Sequence, residues 1–280
     1  MSFYDPPPHL VSGAVARALE EDLGALGDLT GALVPDTARL EGQIVARAEG
    51  VLAGRACASE VFGHVDPAIA VEWARGDGVD LTPGDRIASV AGPARSVLTA
   101  ERTALNFLSH LSGVATITRR FVDAARGRTQ IRDTRKTTPG LRSLEKAAVR
   151  AGGGVNHRAS LSDGILIKDN HLALVSVSDA VKAARTLWPG RPVEVECDSL
   201  TTVEEAVAAG AELVLLDNMT PDDVRTCVER VAGRATIEVS GGVTLDTVGD
   251  YAATGVDFIS VGAITHSAPI LDVALDAVIR

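Results

Sequence analysis

Six short apolar runs dominate the second half of the chain: TQIRDT, GILIKD, PVEVEC, LVLLDN, TIEVSG and FISVGA. Amphipathic stretches such as TTVEEAVAAGA and TPDDVRTCVERVAG separate the later ones. From Val195 the period is roughly 20 to 23 residues, the length of one strand, one helix and two short loops. Such alternation demands a parallel sheet, open or closed. Side-chain parity chooses between the two. One set of alternate positions is apolar throughout: Ile165 and Ile167, Val193 and Val195, Val214 and Leu216, Ile237 and Val239, Ile259 and Val261. The other set holds Lys168, Glu194 and Glu196, Leu215 and Asp217, Glu238 and Ser240, then Ser260 and Gly262. An open doubly wound sheet wants both faces apolar. A barrel with a polar mouth at the C-terminal strand ends fits better. With about six strands instead of the usual eight, that barrel is irregular.

The first hundred residues have another texture. Residues 12–26 read as a helix, with Ala14, Val15, Ala18, Leu19 and Leu23 on one side. Short β-like runs follow, GQIVARAEGVLAG and AVEWARG, then LTPGDRIASVAGPARSVL with its Pro-Gly turn signal. A long helical pattern starts at about Ala100, and its apolar positions Leu105, Leu108, Leu111, Ala115 and Val122 keep helical spacing. A domain boundary inside or near that helix is expected. The predicted organisation is an N-terminal α/β sandwich domain over residues 1–111, followed by an irregular α/β barrel, with fewer than eight strands, over residues 112–280.

Charge narrows the function. The chain carries a formal net charge of −10, which argues against nucleic-acid binding, and its 3% aromatic content offers few stacking platforms. No apolar run is long enough to cross a bilayer, so no membrane association is expected. The N-terminal MSFYDPPPHL lacks a basic and apolar leader pattern, and Cys57, Cys197 and Cys227 are odd in number and widely spaced. Both features predict a cytoplasmic protein with reduced thiols. Within this acidic chain the segment from Ile131 to Lys168 is cationic: Arg132, Arg135, Lys136, Arg142, Lys146, Arg150, Arg158 and Lys168 face only Asp133, Glu145 and Asp163. A local cationic cluster in an acidic protein suggests a pocket for a small anion.

Barrel strand ends supply the chemistry. Here they present Arg135 and Lys136, then Lys168, Glu196, Asp217, Ser240 and Gly262. Any one of these is most simply a solvated loop side chain; their recurrence at the same place in successive units favours a site. SGGVT and VGAIT each follow a strand and are expected to open a helix, where glycine N–H groups can approach a phosphate. Tight turns alone would explain a single such pair of glycines equally well. Glu196 and Asp217 could act as general acid and base, hold sugar hydroxyls, or ligate Mg²⁺ together with substrate phosphates. Lys168 could form a Schiff base if its pKa were depressed, but nearby carboxylates favour the charged ammonium. His157-Arg158, beside a glycine run, strengthens the anion-site reading.

The long segment RDTRKTTPGLRSLEKAAVRAGGGVNHRASLSDGILIKDNH closely resembles the signature of the quinolinate phosphoribosyltransferase family. ALEEDLGALGDLT, ERTALNFLSHLSGVAT, VEVECDSL, LVLLDNM, IEVSGGV and SVGAITHSAP follow the family order. Ala147 and Ser160 depart from it, at positions where the family commonly has Tyr and Gly. The resemblance implies reaction of quinolinate with phosphoribosyl pyrophosphate and Mg²⁺, giving nicotinate mononucleotide, CO₂ and pyrophosphate. It further implies that Arg135, His157, Arg158 and Lys168 surround quinolinate, with Arg102 reaching in from a neighbouring subunit of a homo-oligomer. By the same resemblance Lys136 lies near both substrates and Thr134 lines the site. Glu196 and Asp217 hold ribose hydroxyls and Mg²⁺, while Ser240, Gly241, Gly242, Val261, Gly262 and Ala263 cradle the 5-phosphate. A relative with the same scaffold but another base, a Schiff-base lyase and a silent anion-binding protein remain the competing readings.

Overall fold

The computed structural model describes residues 5–279; the first four residues of the N-terminal segment considered above for a leader lie outside them. Its strands are β1 Arg39–Ala46, β2 Gly50–Val51, β3 Ala70–Trp73, β4 Asp80–Leu81, β5 Arg86–Pro93, β6 Gln130–Arg132, β7 Ile165–Ile167, β8 Val193–Cys197, β9 Leu213–Asp217, β10 Thr236–Ser240, β11 Phe258–Ser260 and β12 Val273–Ile279. The helices are α1 Pro8–Leu23, α2 Arg55–Val65, α3 Ala94–Ala125, α4 Arg142–Ala151, α5 Asp169–Leu172, α6 Val177–Leu187, α7 Leu200–Ala209, α8 Pro221–Val231, α9 Val248–Ala252 and α10 Ala263–His266. Two compact units result, and they interleave in sequence. One comprises the chain up to Arg119, Thr137–Gly153 and everything from Ile264; the other comprises Arg120–Lys136 and Gly154–Ala263.

The first unit is built on an antiparallel sheet of order β12-β1-β5-β3, with a small β2-β4 ribbon. Leu40 and Ile44 of β1 and Ile87 and Val90 of β5 are buried with Val15 and Leu19 of α1 and Val61 and Phe62 of α2. Full burial of each such side chain contributes roughly 1.5–3 kcal/mol. The opposite face of the sheet carries Glu41, Gln43, Glu72 and Ser89 around an open concavity of about 430 Å³. Among the described residues that line it there is no cation, and Ser89 brings a hydroxyl. Helix α3 starts at Ala94, six residues before the expected start, directly after the Gly92-Pro93 end of β5. Helices α2 and α4 and strand β12 were not anticipated by periodicity. Strand β12 pairs with β1 from Leu40↔Ile279 to Ala46↔Val273, a pairing across most of the chain that local pattern cannot reveal.

The second unit contains the six expected strands, in the order β6-β11-β10-β9-β8-β7, and its recorded ladders are parallel. An isolated parallel bridge, Arg132↔Val155, extends the pairing beyond β6. The apolar parity set is buried apart from half-buried Ile165: Val193, Val195, Val214, Leu216, Val239 and Ile259 are fully inaccessible. Helices α7 and α8, which follow β8 and β9, are fixed at their starts by side-chain caps. Ser199 accepts from the Thr202 N–H of α7, and Thr220 and Asp223 form a capping box on α8. Such caps stabilise a helix by about 1 kcal/mol each. They also stop the loops after β8 and β9 within a few residues of their strands. The irregular six-stranded α/β barrel expected from the sequence is the architecture found.

Candidate active site

Inward parity and strand ends together form one pocket of about 550 Å³ in the second unit. All six strands contribute, either directly or through the loops that follow them, so the sheet curls around it. Leu166 and Lys168, Glu196, Leu215 and Asp217, Glu238 and Ser240, and Ser260 all belong to the parity set opposite the buried apolar one. Thr134, Arg135 and Lys136 come from the loop after β6, His157 and Arg158 from the loop before β7, and Asn218, Gly241 and Gly242 from the loops after β9 and β10.

On one side the pocket is cationic. Thr134 Oγ1 accepts the Lys136 N–H at 3.0 Å, a tight local turn that sets out Arg135 and Lys136 at the rim. The Arg158 guanidinium donates to the Gly164 carbonyl at 3.1 Å. Burial, and next the nearby Arg135 charge, pull the Arg158 pKa below its ordinary value; Glu194 and Asp163 act the other way. Two like charges held near one another in a partly desolvated wall are stabilised by an arriving anion.

The opposite side is acidic and glycine-rich. Lys168 Nζ makes an ion pair and hydrogen bond with Glu196 Oε2. A neighbouring carboxylate favours the ammonium over the free amine a Schiff base requires, so the pairing opposes that chemistry. Asp217 Oδ2 accepts from Asn218 Nδ2 at 2.7 Å, and Asn218 itself has φ +55°. The Asn218 N–H bonds the Ser240 carbonyl at 2.9 Å, which ties the β9 and β10 loops together. Gly241 has φ +95°, and a Cβ there would lie 2.2 Å from Asn218 Oδ1. Gly242 has φ +63° and open space where its Cβ would be. The SGGVT segment does not open a helix directly, contrary to expectation. Thr247 Oγ1 accepts the Thr244 N–H at 3.0 Å, and this turn intervenes before α9 begins at Val248. VGAIT does enter a helix, the four-residue α10.

Beneath the pocket lies a buried polar layer. Glu238 is fully inaccessible and contacts Arg132 and the Ser260 hydroxyl. Burial, and next the Glu194 carboxylate, raise its pKa. His157 Nε2 lies 3.1 Å from Glu194 Oε2 and 3.6 Å from Glu238 Oε1. Among the described residues, His157, Glu194 and Glu238 form a group with metal-ligand spacing, their donor atoms within 4.8 Å of one another. The imidazole argues against a metal there. Its Nδ1 accepts the Arg158 N–H at 2.7 Å, so Nε2 carries the proton and has no lone pair to offer. Glu196 and Asp217, by contrast, are partly exposed hard oxygen donors at adjacent strand ends, the donor chemistry Mg²⁺ prefers.

Of the residues singled out in the sequence, Thr134, Arg135, Lys136, His157, Arg158, Lys168, Glu196, Asp217, Ser240, Gly241 and Gly242 line this pocket. Val261, Gly262 and Ala263 do not; Val261 is buried on the apolar parity set. Arg102 is an exposed residue of α3 in the first unit. Sequence reasoning did not assign a role to Asp133, Glu194, Glu238 or Ser260. The available signal was a carboxylate in mid-strand on the inward parity, at Glu194 and Glu238. The two departures are not among the residues that line the pocket: Ala147 is buried beside a cavity of about 10 Å³ in the first unit, and Ser160 belongs to a turn capped by Asp163.

Comparison with known proteins agrees with this geometry. The family model for the quinolinate phosphoribosyl transferase C-terminal domain matches residues 114–276, and that for the N-terminal domain matches residues 28–112. The chain is 48% identical to a nicotinate-nucleotide pyrophosphorylase [carboxylating] of Mycobacterium leprae, over 94% of this chain and 95% of the relative. It is 44% identical to a probable enzyme of the same designation from Bacillus subtilis, over 91% and 89% of the two chains. The solved nicotinate-nucleotide pyrophosphorylase of Francisella tularensis superposes with a TM-score of 0.94 at 39% identity, covering 99% of both chains.

Proposed function

The chain belongs to the quinolinate phosphoribosyltransferase family, and we propose how its pocket divides the work of that reaction among its residues. The activity is that of a nicotinate-nucleotide pyrophosphorylase (carboxylating), an enzyme of NAD biosynthesis. The observation that carries the division is the two-sided lining: Arg135, Lys136 and Arg158 on one side, Glu196, Asp217, Ser240, Gly241 and Gly242 on the other, with Lys168 paired to Glu196 where they meet.

Quinolinate is a dicarboxylate, and its partner phosphoribosyl pyrophosphate carries a phosphate and a pyrophosphate. Arg135, Arg158 and Lys168 take the carboxylates of quinolinate, with His157 beside them and Thr134 at the edge. Guanidinium forks fix a planar dicarboxylate in two directions, so the pyridine nitrogen is aimed and needs no base. Lys136, at the rim, serves both substrates. Ser240, Gly241 and Gly242 receive the 5-phosphate through hydroxyl and backbone N–H groups. Gly262 and Ala263 join them once the loop after β11 is engaged. Glu196 and Asp217 hold the ribose hydroxyls and stabilise positive charge that develops at C1 as pyrophosphate departs. They are also the residues that would hold Mg²⁺, which supplies charge neutralisation for the leaving pyrophosphate when bound. The pyridine nitrogen then bonds C1, and the ring cation so formed makes the C2 carboxylate labile to loss as CO₂.

Exposed Arg102 would be donated across a subunit interface, which makes a two-fold homodimer the smallest complete assembly. The free, buried cysteines support a cytoplasmic setting. No described helix is long and apolar enough to cross a membrane.

A coupled assay for CO₂ and pyrophosphate, with quinolinate, phosphoribosyl pyrophosphate and Mg²⁺, tests this division beside an Arg135→Ala variant. Release of both products by the native chain and a loss of tenfold or more in kcat/KM for quinolinate in the variant are expected. A variant as active as the native chain would remove the cationic wall from the reaction.

A further inference from the structure

The loop before β7 presents Arg158 to the pocket, yet it is a short irregular segment between Val155 and Gly164. Something must hold it. Two buried carboxylates grip it from opposite sides. Asp133, fully inaccessible at the end of β6, accepts the His157 backbone N–H at 2.8 Å and the Asn156 side-chain amide at 2.6 Å. Glu194, on the inward parity of β8 and only 5% exposed, receives the His157 ring at Nε2. The ring is locked at its far nitrogen as well, because Nδ1 accepts the Arg158 N–H. Backbone and ring of one residue are thus fixed by β6 and β8, and the next residue is the guanidinium donor.

We infer that Asp133 and Glu194 are positioning residues for the dicarboxylate, clamping Asn156-His157 between two barrel strands so that the Arg158 guanidinium is aimed into the pocket. The inference rests on the reading of Arg158 as a quinolinate ligand. A carboxylate serves at position 133 because the Asn156 amide and the His157 N–H are both donors. An amide can satisfy only one of them, and the second would meet an NH₂ group. At position 194 only one acceptor atom is engaged. Glu194 Oε1 is buried with no hydrogen-bond partner, so a neutral amide keeps the essential contact there. The residues read as the phosphate side have ties of their own: Asp217 and Ser240 bond Asn218 through its side-chain amide and its N–H.

The test is equilibrium binding to the full chain, with phthalate as an unreactive 1,2-dicarboxylate of the same shape as quinolinate and phosphoribosyl pyrophosphate as the second probe. Asp133→Asn is expected to raise the Kd for phthalate by on the order of tenfold, the loss of one hydrogen bond to a charged acceptor. Its Kd for phosphoribosyl pyrophosphate should stay within about twofold, because the contacts that fix Arg158 are the ones removed. Glu194→Leu is expected to act in the same way, while Glu194→Gln, which still accepts from His157 Nε2, should bind phthalate nearly as the native chain does. This pair decides the matter even if Asp133→Asn does not fold. A parallel loss of both ligands would mean a general scaffold role and overturn the inference. Native-like phthalate affinity in Glu194→Leu and in a folded Asp133→Asn would overturn it too. A native chain that binds no phthalate would instead refute the dicarboxylate reading, and the clamp with it.

Discussion

Adjacent glycines at the β10 loop allow the phosphate cradle to be separated from a mere turn. Gly241 and Gly242 both sit at positive φ, +95° and +63°, but only Gly241 is crowded. An alanine Cβ at 241 would stand 2.2 Å from Asn218 Oδ1 and 2.9 Å from the Asn218 backbone nitrogen. Asn218 cannot yield freely, since its amide bonds Asp217 and its N–H bonds Ser240. Backbone strain of about 1–2 kcal/mol, overpacking of about 1–3 kcal/mol and one compromised hydrogen bond put Gly241→Ala near 3–5 kcal/mol of lost stability. At 242 the protein offers no obstacle. The strain of about 1–2 kcal/mol is there offset by about 0.4–1 kcal/mol of reduced unfolded-state freedom, leaving a melting shift of about 5 °C or less. If the Gly242 N–H faces the 5-phosphate, however, the new methyl meets the ligand. Loss of a charge-assisted contact then raises KM for phosphoribosyl pyrophosphate by about ten- to a hundredfold, with KM for quinolinate within about twofold. Thermal melts paired with initial rates of pyrophosphate release, each substrate varied in turn, read both quantities. A native KM in Gly242→Ala would reduce the glycines to turn-makers. Equal destabilisation by both variants would refute the steric distinction between them.

Two further outcomes follow from single groups in the first unit and from the thiols. The Asp77 carboxyl accepts the Gly54 and Arg55 N–H groups at the start of α2, but burial, the dominant influence, lifts its pKa to about 6. The folded chain therefore holds a proton there that the unfolded chain releases near the ordinary 3.8, so this carboxyl costs stability as pH rises between about 4 and 6, by of order 3 kcal/mol. Asp77→Asn should flatten that part of the stability profile in urea melts, an unchanged slope counting against the assignment; Glu238 shifts the same way, so some slope remains. Asp28, Asp66, Asp85 and Asp163 shift downward and act below that window. Burial also raises the thiols, Cys57 and Cys197 to about 12, and all three cysteines are buried. At pH 8 native Cys57 and Cys197 should resist iodoacetamide by about a thousandfold relative to a free thiol, with all three cysteines alkylated after unfolding; rapid native labelling of these two would contradict the burial.

The barrel was legible in the sequence because its parity is strict. Each strand alternates a buried aliphatic with an inward residue, and the inward residue turns polar at the same end every time. That pattern puts Lys168, Glu196, Asp217 and Ser240 at one mouth, and one pocket holds all four. Two things stayed hidden. Strand β12 finds its partner β1 more than two hundred residues away, and nothing in VALDAVI specifies that ladder. The clamp was hidden for a different reason. Asp133 reads as one stray anion among cations, and its meaning lies in the direction of two donors, Asn156 and His157, that arrive from another loop. Hydrogen-bond direction has no periodicity to betray it. The helix expected after SGGVT failed because a Thr244–Thr247 turn, a local side-chain preference, outcompeted helix initiation.

Sheet order explains why the pocket has two sides. The cationic residues come from the loop after β6, from the loop before β7 and from the position directly after β7, and these strands are the two ends of the β6-β11-β10-β9-β8-β7 ladder. The carboxylates and glycines come from β8, β9 and β10 in its interior. Interior strands have neighbours on both flanks, which fixes their backbone and suits a cradle of N–H and hydroxyl groups that must match a phosphate. The ends of the ladder lack one flank. There the Arg132↔Val155 bridge and the buried Asp133 and Glu194 supply what a continuous ladder supplies elsewhere. Long cationic side chains tolerate such a seam, since a guanidinium reaches its anion through several rotatable bonds, but its aim then depends on how well the base is held. That dependence is why a six-stranded barrel with a seam needs buried carboxylates under its cations, and why the polar layer at Glu194 and Glu238 lies below the pocket and not at its rim.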